Sequence, residues 1–409
     1  MLRATDIDDD GHIVGSGVLR RLPIGKLTLK CLLNGDILLE GSGGGPDKPV
    51  GRVAFFDALQ HPEVAVCSNF FKTLRPNLIF VEPRFLLHKL SWFYRQPILL
   101  TFQQQTTGII NLKFEEYLEA FIDLPCDLKE QRGIALVLDT LDTAIHETES
   151  IIAKLKAIKQ GLLHDLLTRG INANGELRPP QSEAPHLYKE SPLGWIPKGW
   201  DVAPTTTRCT LITKGATPST HKMWQGSEGI RFLRVDNLSF DGRFDLNAST
   251  FRVSAATHNG FLARSKCQPG DVLTNIVGPP LGKLGLVTEE SGEININQAV
   301  ALFRPTEKLL SRFFLIWLSS EISQAWLKKR AKQTSGQVNL TLALCQELPL
   351  LCMATVEQQA IVDMVHTAQM RINFEEDQLG KLHFEKSGLM DDLLTGRVRV
   401  TPLLTDALS

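Results

Sequence analysis

With 409 residues, 43% hydrophobic content and a formal net charge of −1, the chain has room for two or three domains with real cores, and its overall charge names no partner. Its seven cysteines form no CxxC pair and leave an odd count, which suits reduced thiols and argues against a disulfide scaffold or a paired-cysteine zinc site. No signal-like N-terminus and no long apolar run occurs, so the expected location is cytoplasmic, with no membrane contact.

The first 126 residues read as short β-branched strands punctuated by glycine. LLNGDILL (32–39) runs into the glycine-rich EGSGGGPDKPVGR (40–52), then VGRVAFF (50–56) and TLRP (73–76). PRFLLHKLSWFYRQ (83–96) has helical apolar spacing, with Phe85–Trp92 expected in the core. TTGIINL (106–112) leads on to Leu124-Pro125.

From Asp127 to Gly170 the pattern changes. Apolar residues fall at Ile134, Leu138, Leu141, Ile145, Ile152, Leu155, Leu162 and Leu166, in steps of three and four broken only at Thr148 and Lys159. This is a heptad seam on one helix, about 60 Å long for roughly forty residues. Asp127 with Glu130 reads as a capping box, and Gly170 as the stop. The helix is too polar outside to span a membrane and too apolar on its seam to stand alone.

Asn172–Gly194, rich in proline and polar residues, reads as a linker. Trp195 and Trp200 flank Ile196-Pro197 and are expected to anchor the linker to the second domain. Beyond them the earlier words return in order. LRATDI-DDDG (2–11) matches LRVDNL-SFDG (233–242), LLNGDILL matches CQPGDVLT (267–274), and VGRVAFF is set against LGLVTEE (284–290). TLRP matches LFRP (302–305), PRFLLHKLSWFYRQ matches SRFFLIWLSSEISQ (311–324), and TTGIINL matches TSGQVNL (334–340). Adding 227 to the seam gives Ile361, Val365, Ala368, Ile372, Leu379, Leu382, Leu389 and Leu393, with the interruptions recurring as Glu375 and Lys386. The chain is an internal duplication. The second copy opens with 195–230, for which the first has no counterpart; the expectation is either a shortened form or a first half that tolerates the loss.

GWIPKGW, TKGATPS, RFLRVDNL, PGDVL, TSGQVNL and a closing EQQ-helix-DDLLTGR, in a duplicated frame, resemble the DNA-specificity subunit of type I restriction–modification systems. The resemblance implies an α+β chain: two tandem α/β target-recognition domains separated by two long antiparallel coiled-coil helices, with a pseudo-two-fold internal repeat. The expected boundaries are a first recognition domain at 1–126, a first spacer helix at 127–171, a linker at 172–194, a second recognition domain at 195–354, a second spacer helix at 355–398 and a tail at 399–409. It also implies a non-catalytic reader of a bipartite target in double-stranded DNA, whose helices set the gap and dock two methyltransferase subunits, with restriction motor-nuclease subunits joining them. S-adenosylmethionine, ATP and Mg would be used by those partners and no cofactor by this chain. The alternative is a truncated coiled-coil scaffold or regulatory remnant that no longer reads DNA.

The residues are consistent with a non-enzyme. Gly278-Pro-Pro-Leu-Gly282-Lys283 resembles a phosphate loop, but it is one residue short and lacks the Ser/Thr after lysine. No amino-methyltransferase motif and no metal-ligand spacing is present, so neither a catalytic residue nor a metal is expected. DNA contact is expected from the glycine-rich loops, with Ser42, Lys48, Arg52 and Lys283, since glycine lets backbone approach phosphate. It is also expected from Thr106, Thr107, Thr334, Ser335 and Gln337 in the hydroxyl-glycine loops, Gln337 being suited to an adenine edge. TKGATPS offers Lys214, Thr217 and Ser219, and LKKRAK offers Lys328, Lys329 and Arg330. Arg3 and Arg234 complete the set, each beside an aspartate (Asp6, Asp236) that could instead take it in an internal ion pair. Basic residues outnumber acidic ones between Trp195 and Cys345 but not between Leu2 and Cys126, so the second half better fits a DNA reader.

Overall fold

Where the sequence alternates apolar and glycine-rich stretches the chain forms short strands, and where apolar residues recur at helical steps it forms helices. The computed structural model describes residues 1–8, 11–44, 48–106, 108–245, 250–278, 280–334 and 337–400. It divides into two units, Met1–Ile152 with Glu375–Ser409 and Ala153–Phe374, so each unit holds one recognition region and one half of each long helix.

In the first unit α1 (Ile24–Lys30) precedes β1 (Ile37–Glu40), β2 (Ser42–Gly44), β3 (Val53–Phe55) and β4 (Phe71–Leu74). Then come α2 (Pro83–Tyr94), the hairpin β5 (Gln103–Thr106) and β6 (Ile109–Leu112), α3 (Phe114–Leu118) and α4 (Leu128–Thr168). An antiparallel sheet of order β3-β1-β4 carries Ile37, Leu39 and Val53 into a core closed by Leu90 and Phe93 of α2. β2 pairs with β6 to build a second small sheet.

The second unit contains β7 (Tyr188–Ser191), β8 (Gly194–Pro197), β9 (Asp201–Pro204), β10 (Cys209–Lys214), β11 (Met223–Gln225), β12 (Ile230–Leu233) and β13 (Phe251–Val253). After α5 (Ala255–Asn259) come β14 (Val272–Asn275), β15 (Leu284–Leu286), β16 (Ile294–Ile296) and β17 (Val300–Pro305). The unit continues through α6 (Ser311–Ser319), α7 (Glu321–Arg330), β18 (Lys332–Thr334), β19 (Gln337–Asn339), α8 (Leu342–Glu347) and β20 (Pro349–Cys352) to α9 (Thr355–Leu394). Its sheet of order β10-β17-β14-β15 repeats the first with one strand added, and β9 pairs with β20. A further sheet, β11-β13-β12-β16, lies alongside.

The repeat is visible in pairing. Ile37 faces Phe55 as Val272 faces Leu286, so the counterpart of VGRVAFF is LGKLGLV (281–287), three residues earlier than the sequence match placed it. The NGD and PGD turns before β1 and β14 have Gly35 at φ +88° and Gly270 at φ +91°, a region that L side chains rarely adopt. The single helical pattern 311–324 is broken at Ser320, whose hydroxyl caps α7 by accepting from Ser323 N–H.

Two further devices recur almost atom for atom. Arg75 donates from Nε and Nη2 to both oxygens of Asp36 (2.8 and 2.7 Å), and Arg304 does the same to Asp271 (2.8 and 2.8 Å). Gln131, fully buried at the start of α4, accepts from Glu82 N–H and donates to the carbonyls of Phe80 and Pro125. Gln358, at the start of α9, accepts from Leu310 N–H and donates to the carbonyls of Lys308 and Met353. Each glutamine thereby fixes its long helix to its own recognition region.

The helices run antiparallel within each unit. In the first, Ile134, Ala135 and Leu138 of α4 pack with Met390, Leu393 and Leu394 of α9; in the second, Leu166 and Leu167 pack with Ile361, Val362 and Val365. Of the seam positions, Ile134, Leu138, Ile145, Ile152, Leu166, Ile361, Val365, Ile372 and Leu393 are buried, while Leu141, Leu155, Leu162, Leu379, Leu382 and Leu389 are half-buried. Each fully buried leucine or isoleucine contributes about 1.5–3 kcal/mol relative to exposure. The polar interruptions fix register. Lys386 pairs with Asp142 in the first unit, and Lys159 donates to Gln369 Oε1 (2.5 Å) in the second, so neither lysine depends on Glu375. Since 159 + 227 = 386 and 142 + 227 = 369, these are one contact repeated. Burial pushes the Lys159 ammonium below its ordinary value, with Asp241 partly opposing.

Asp127 caps α4, accepting from Lys129 N–H (2.8 Å), and Glu130, besides its place in the first turn, receives Arg399 on both its oxygens. Two expectations, the bare linker and the Trp195 anchor, are corrected. Asn172–Gly194 is not a bare linker: it carries β7 and enters β8, and Tyr188 is buried with its hydroxyl on the Pro179 carbonyl (2.6 Å). Trp200 is an anchor, 1% exposed and donating to Glu357 Oε2, whereas Trp195 is 47% exposed and its neighbour Ile196 is buried instead.

Candidate nucleic-acid interface

The candidates of the second unit converge at one end of its sheets. Lys214, exposed, ends β10 opposite Ala301, and the following Gly215 lies so close to the Ile296 carbonyl that a Cβ would sit 1.9 Å from it. Thr217 and Ser219 are exposed, and the Thr217 hydroxyl donates to Gln298 Oε1. Gln298, itself exposed, escaped the sequence reading; the short polar break between the buried runs 294–296 and 300–303 was the available signal. Arg234, just after β12, stacks 5.4 Å from the Phe251 ring and lies 4.0 Å from Asp236, a loose pair. The counterpart of Asp6 is Asn237 rather than Asp236: Asn237 accepts from Arg234 N–H as Asp6 does from Arg3 N–H.

The loop 276–283 reaches the same end. Asn275, fully buried, accepts from the N–H groups of Gly282 and Lys283 and donates to the Pro280 carbonyl, drawing the loop into a closed turn between two strands. A phosphate loop would lead into a helix, and this one leads into β15. Val277 bridges to Asn339, so the loop lies against the β18–β19 pair, in which Thr334 faces Gln337. The first unit repeats this, Ser42 facing Asn111 where β2 meets β6. Glycine-rich loop and hydroxyl-glycine hairpin, separate in sequence, thus form one composite surface in each unit. Lys328, Lys329 and Arg330 are exposed in the last turn of α7, immediately before β18. Arg330 stacks on Trp326, 4.3 Å from the ring centroid. Thr106, Thr334 and Gln337 belong to hairpin strands by backbone; Thr107 and Ser335 lie outside the described residues.

In the first unit two basic candidates are engaged internally. Arg52, 10% exposed in its side chain, donates to both oxygens of Glu40 (3.0 and 2.8 Å) and to the carbonyls of Ile7 and Asp8. Arg52 is thus engaged within the first unit while it also lines the cleft beside Lys48. Arg3 makes two bonds to Asp6 (3.0 and 2.8 Å), and that guanidinium holds the Asp6 carboxyl below its ordinary value. Lys48 is exposed, on a cleft of about 580 Å³ that Arg52 and Glu40 also line. The Ser42 hydroxyl donates to Asn111 Oδ1 (2.6 Å), and Lys283 lies 3.5 Å from the Val235 carbonyl.

Burial pushes the Cys209 and Cys345 thiols up to about 12, leaving them protonated. Among the described residues one group, His88, Asp139 and Asp142, gathers donor atoms within 4.8 Å. Lys386 pairs with Asp142 and Arg84 stands 3.8 Å from Asp139, so cations of the chain itself already neutralise it. Among the described residues no helix is long and apolar enough to cross a membrane.

No protein-family profile matches the chain. Its sequence is similar to the putative type I restriction enzyme MjaX specificity subunit of Methanocaldococcus jannaschii, 22% identical over 373 residues, 90% of this chain and 80% of that protein. The EcoBI specificity subunit of Escherichia coli is 28% identical over 226 residues, 53% of this chain and 45% of the relative. The chain is similar in sequence to type I restriction specificity subunits. The MjaVIII specificity subunit of M. jannaschii agrees, at 24% identity over 74% of this chain and 67% of its own length. The specificity-subunit fold covers both units. A structure from work on complex assembly and conformational transition of a type I R-M system aligns with 96% of this chain and 90% of its own, with TM-score 0.58 and 17% identity. The type I S subunit from M. genitalium aligns with 96% of this chain and 91% of its own, with TM-score 0.53 and 15% identity.

Proposed function

We propose that the chain is the DNA sequence-specificity subunit of a type I restriction–modification complex, each unit reading one half of a bipartite target in double-stranded DNA. The observation that carries this is the composite loop-and-hairpin surface, built twice on the same sheet, each copy tied by a buried glutamine to the start of a long helix. Loops on a rigid frame can vary in what they read without disturbing the fold. Two readers joined by continuous helices favour a split target whose middle is not read. Lys214, Lys328 and Lys329 supply phosphate contacts, and Thr217, Gln298 and Gln337 supply groups suited to base edges.

The chain itself performs no chemistry in this reading. Two methyltransferase subunits dock on the long helices, whose outer faces leave Leu136 and Ile158 of α4 and Met370, Phe374 and Phe384 of α9 exposed. Those subunits take S-adenosylmethionine, restriction subunits take ATP and Mg, and the complex works in the cytoplasm. Methylation mapping in cells expressing the chain with its cognate methyltransferase should yield a two-part motif with a fixed gap. Inserting seven residues at matched points of α4 and α9, about two turns, should change the gap and leave both half-sites intact. A single continuous motif, or methylation indifferent to the chain, would overturn the reading.

One observation favours a second reading, a scaffold that has stopped reading DNA through its first half: Arg3 and Arg52 there are spent on Asp6 and Glu40. Gel-shift of the reconstituted complex with targets scrambled in one half-site at a time separates the two. A reader loses affinity for both scrambles, a scaffold for at most one.

A further inference from the structure

The two recognition regions are attached to the long helices by different chemistry. Both have the buried glutamine at the start of their own long helix. In the first unit α2 makes a second attachment, to α4 and to the C-terminal end of α9, through three polar side chains. Lys89, 3% exposed, donates from Nζ to the Leu394 carbonyl (2.6 Å). Leu394 is the last residue of α9, where carbonyls have no partner within the helix and the helix dipole favours a cation. Trp92 donates from Nε1 to Asp391 Oδ1 (2.7 Å), and its ring lies 4.9 Å from the same ammonium. His88, also 3% exposed, meets Asp139 of α4 through Nε2 (2.9 Å), with Asp142 3.9 Å from Nδ1.

In the second unit apolar packing stands in the same place. The positions of α6 and α7 that match His88, Lys89 and Trp92 are Ile316, Trp317 and Ser320, and Leu167 matches Leu394. Ile316 and Trp317 pack with Leu167 in one apolar core, Trp317 gives its N–H to the Pro349 carbonyl of its own region (3.0 Å), and the Ser320 hydroxyl caps α7. Apolar packing is non-directional and tolerates a small slide of one surface over another. A buried charge does not, because an ammonium drawn away from its carbonyl keeps the full cost of its lost hydration. Burial already lowers the Lys89 ammonium below its ordinary value, with Asp123 partly opposing. A slide of one base-pair step, about 3.4 Å, would take Nζ out of hydrogen-bond reach of Leu394.

We propose that Lys89 is a positioning residue, supported by His88 and Trp92, that fixes the first recognition region on the helix pair and so restricts the subunit to one gap between half-sites. Being buried, it touches no DNA and acts through the frame. This rests on the reading of a split target given above. The length of the helices sets the gap, and the clamp at Lys89 sets how strictly that gap is enforced.

The test maps methylation in cells carrying the full chain and its cognate methyltransferase, over targets with the wild-type gap and with gaps one base pair longer and shorter. Lys89→Met should lower the ratio of methylation at the wild-type gap to that at the shifted gaps by about tenfold, with both half-site sequences unchanged. Trp92→Phe, a milder change at a half-buried position, should move the ratio the same way by less. Trp317→Phe removes a buried bond inside the second recognition region and should leave the ratio as in wild type. A role in stability alone would lower methylation at every gap alike. A ratio unmoved by Trp92→Phe and by any Lys89→Met protein that folds overturns the proposal, as does an equal fall with Trp317→Phe. An unaltered chain that directs no two-part motif overturns the functional reading itself, and the clamp falls with it.

Discussion

The glycine-rich loop is closed by different chemistry in the two recognition regions. In the first, Arg52 lies on both oxygens of Glu40, with both side chains largely buried. In the second, the matching pair is Lys283 and Asn275; the amide holds the loop backbone directly, and the lysine is left half-buried beside the Val235 carbonyl. Beneath both loops the Asp–Arg pair and the buried glutamine are the same. Those frame residues satisfy buried backbone groups, so any exchange there leaves donors or acceptors stranded. A rim lysine satisfies little inside the protein and can change freely, which is what a reader of variable targets requires.

The comparison can be broken most severely at the frame. Asp271→Ala should cost about 4 kcal/mol, because it strands Arg304, 25% exposed, and Gln268 N–H. Asp36→Ala should cost about 2 kcal/mol, because Arg75 is 55% exposed and can rehydrate. Urea unfolding compares the two directly; equal losses would show that the shared frame carries equal weight in both copies. At the loops, Arg52→Met should cost about 2 kcal/mol by leaving Glu40 buried and unpaired. It should leave the salt dependence of DNA binding unchanged. Lys283→Met should alter stability by no more than about 0.5 kcal/mol and lower the salt slope by about 1. The smallest effect concerns acid. Burial raises the Asp139 carboxyl, but the His88 hydrogen bond with the charges of Arg84 and Lys386 outweighs it and holds the group below its ordinary value of 3.8. The folded state then binds that proton less readily than the unfolded one. Its stabilisation is complete above pH 3.8 and is lost as the pH falls through the lower folded value. Asp139→Asn should flatten stability against pH in that window. The matching residue of the other copy is His366, so His366→Asn should leave the same window untouched.

Much of the fold is legible in the sequence because repetition and period are local signals. The seam from Ile134 to Leu166 and its copy from Ile361 to Leu393 need only spacing to be recognised, and α4 and α9 follow from them. What stays hidden depends on partners far along the chain. Nothing near Arg52 shows that Glu40 will claim it, and nothing near Gln131 shows that the Phe80 carbonyl lies within reach. The meeting of the glycine-rich loops with the hydroxyl-glycine hairpins joins segments about seventy residues apart in the first copy, Ser42 with Asn111. VGRVAFF finds the wrong partner by letters because identity is a poorer guide than strand register when a loop has changed length.

The repeated seam contact also records an origin. The acid or amide partner sits at 142 and 369, and the lysine at 159 and 386, so each of these cross-helix contacts joins the first position of one copy to the second position of the other. That is the arithmetic of a two-fold homodimer whose halves have been joined end to end. In the chain as it stands one contact is ionic, Lys386 with Asp142, and the other runs from Lys159 to the Gln369 amide oxygen, so the two copies of the seam contact differ in charge.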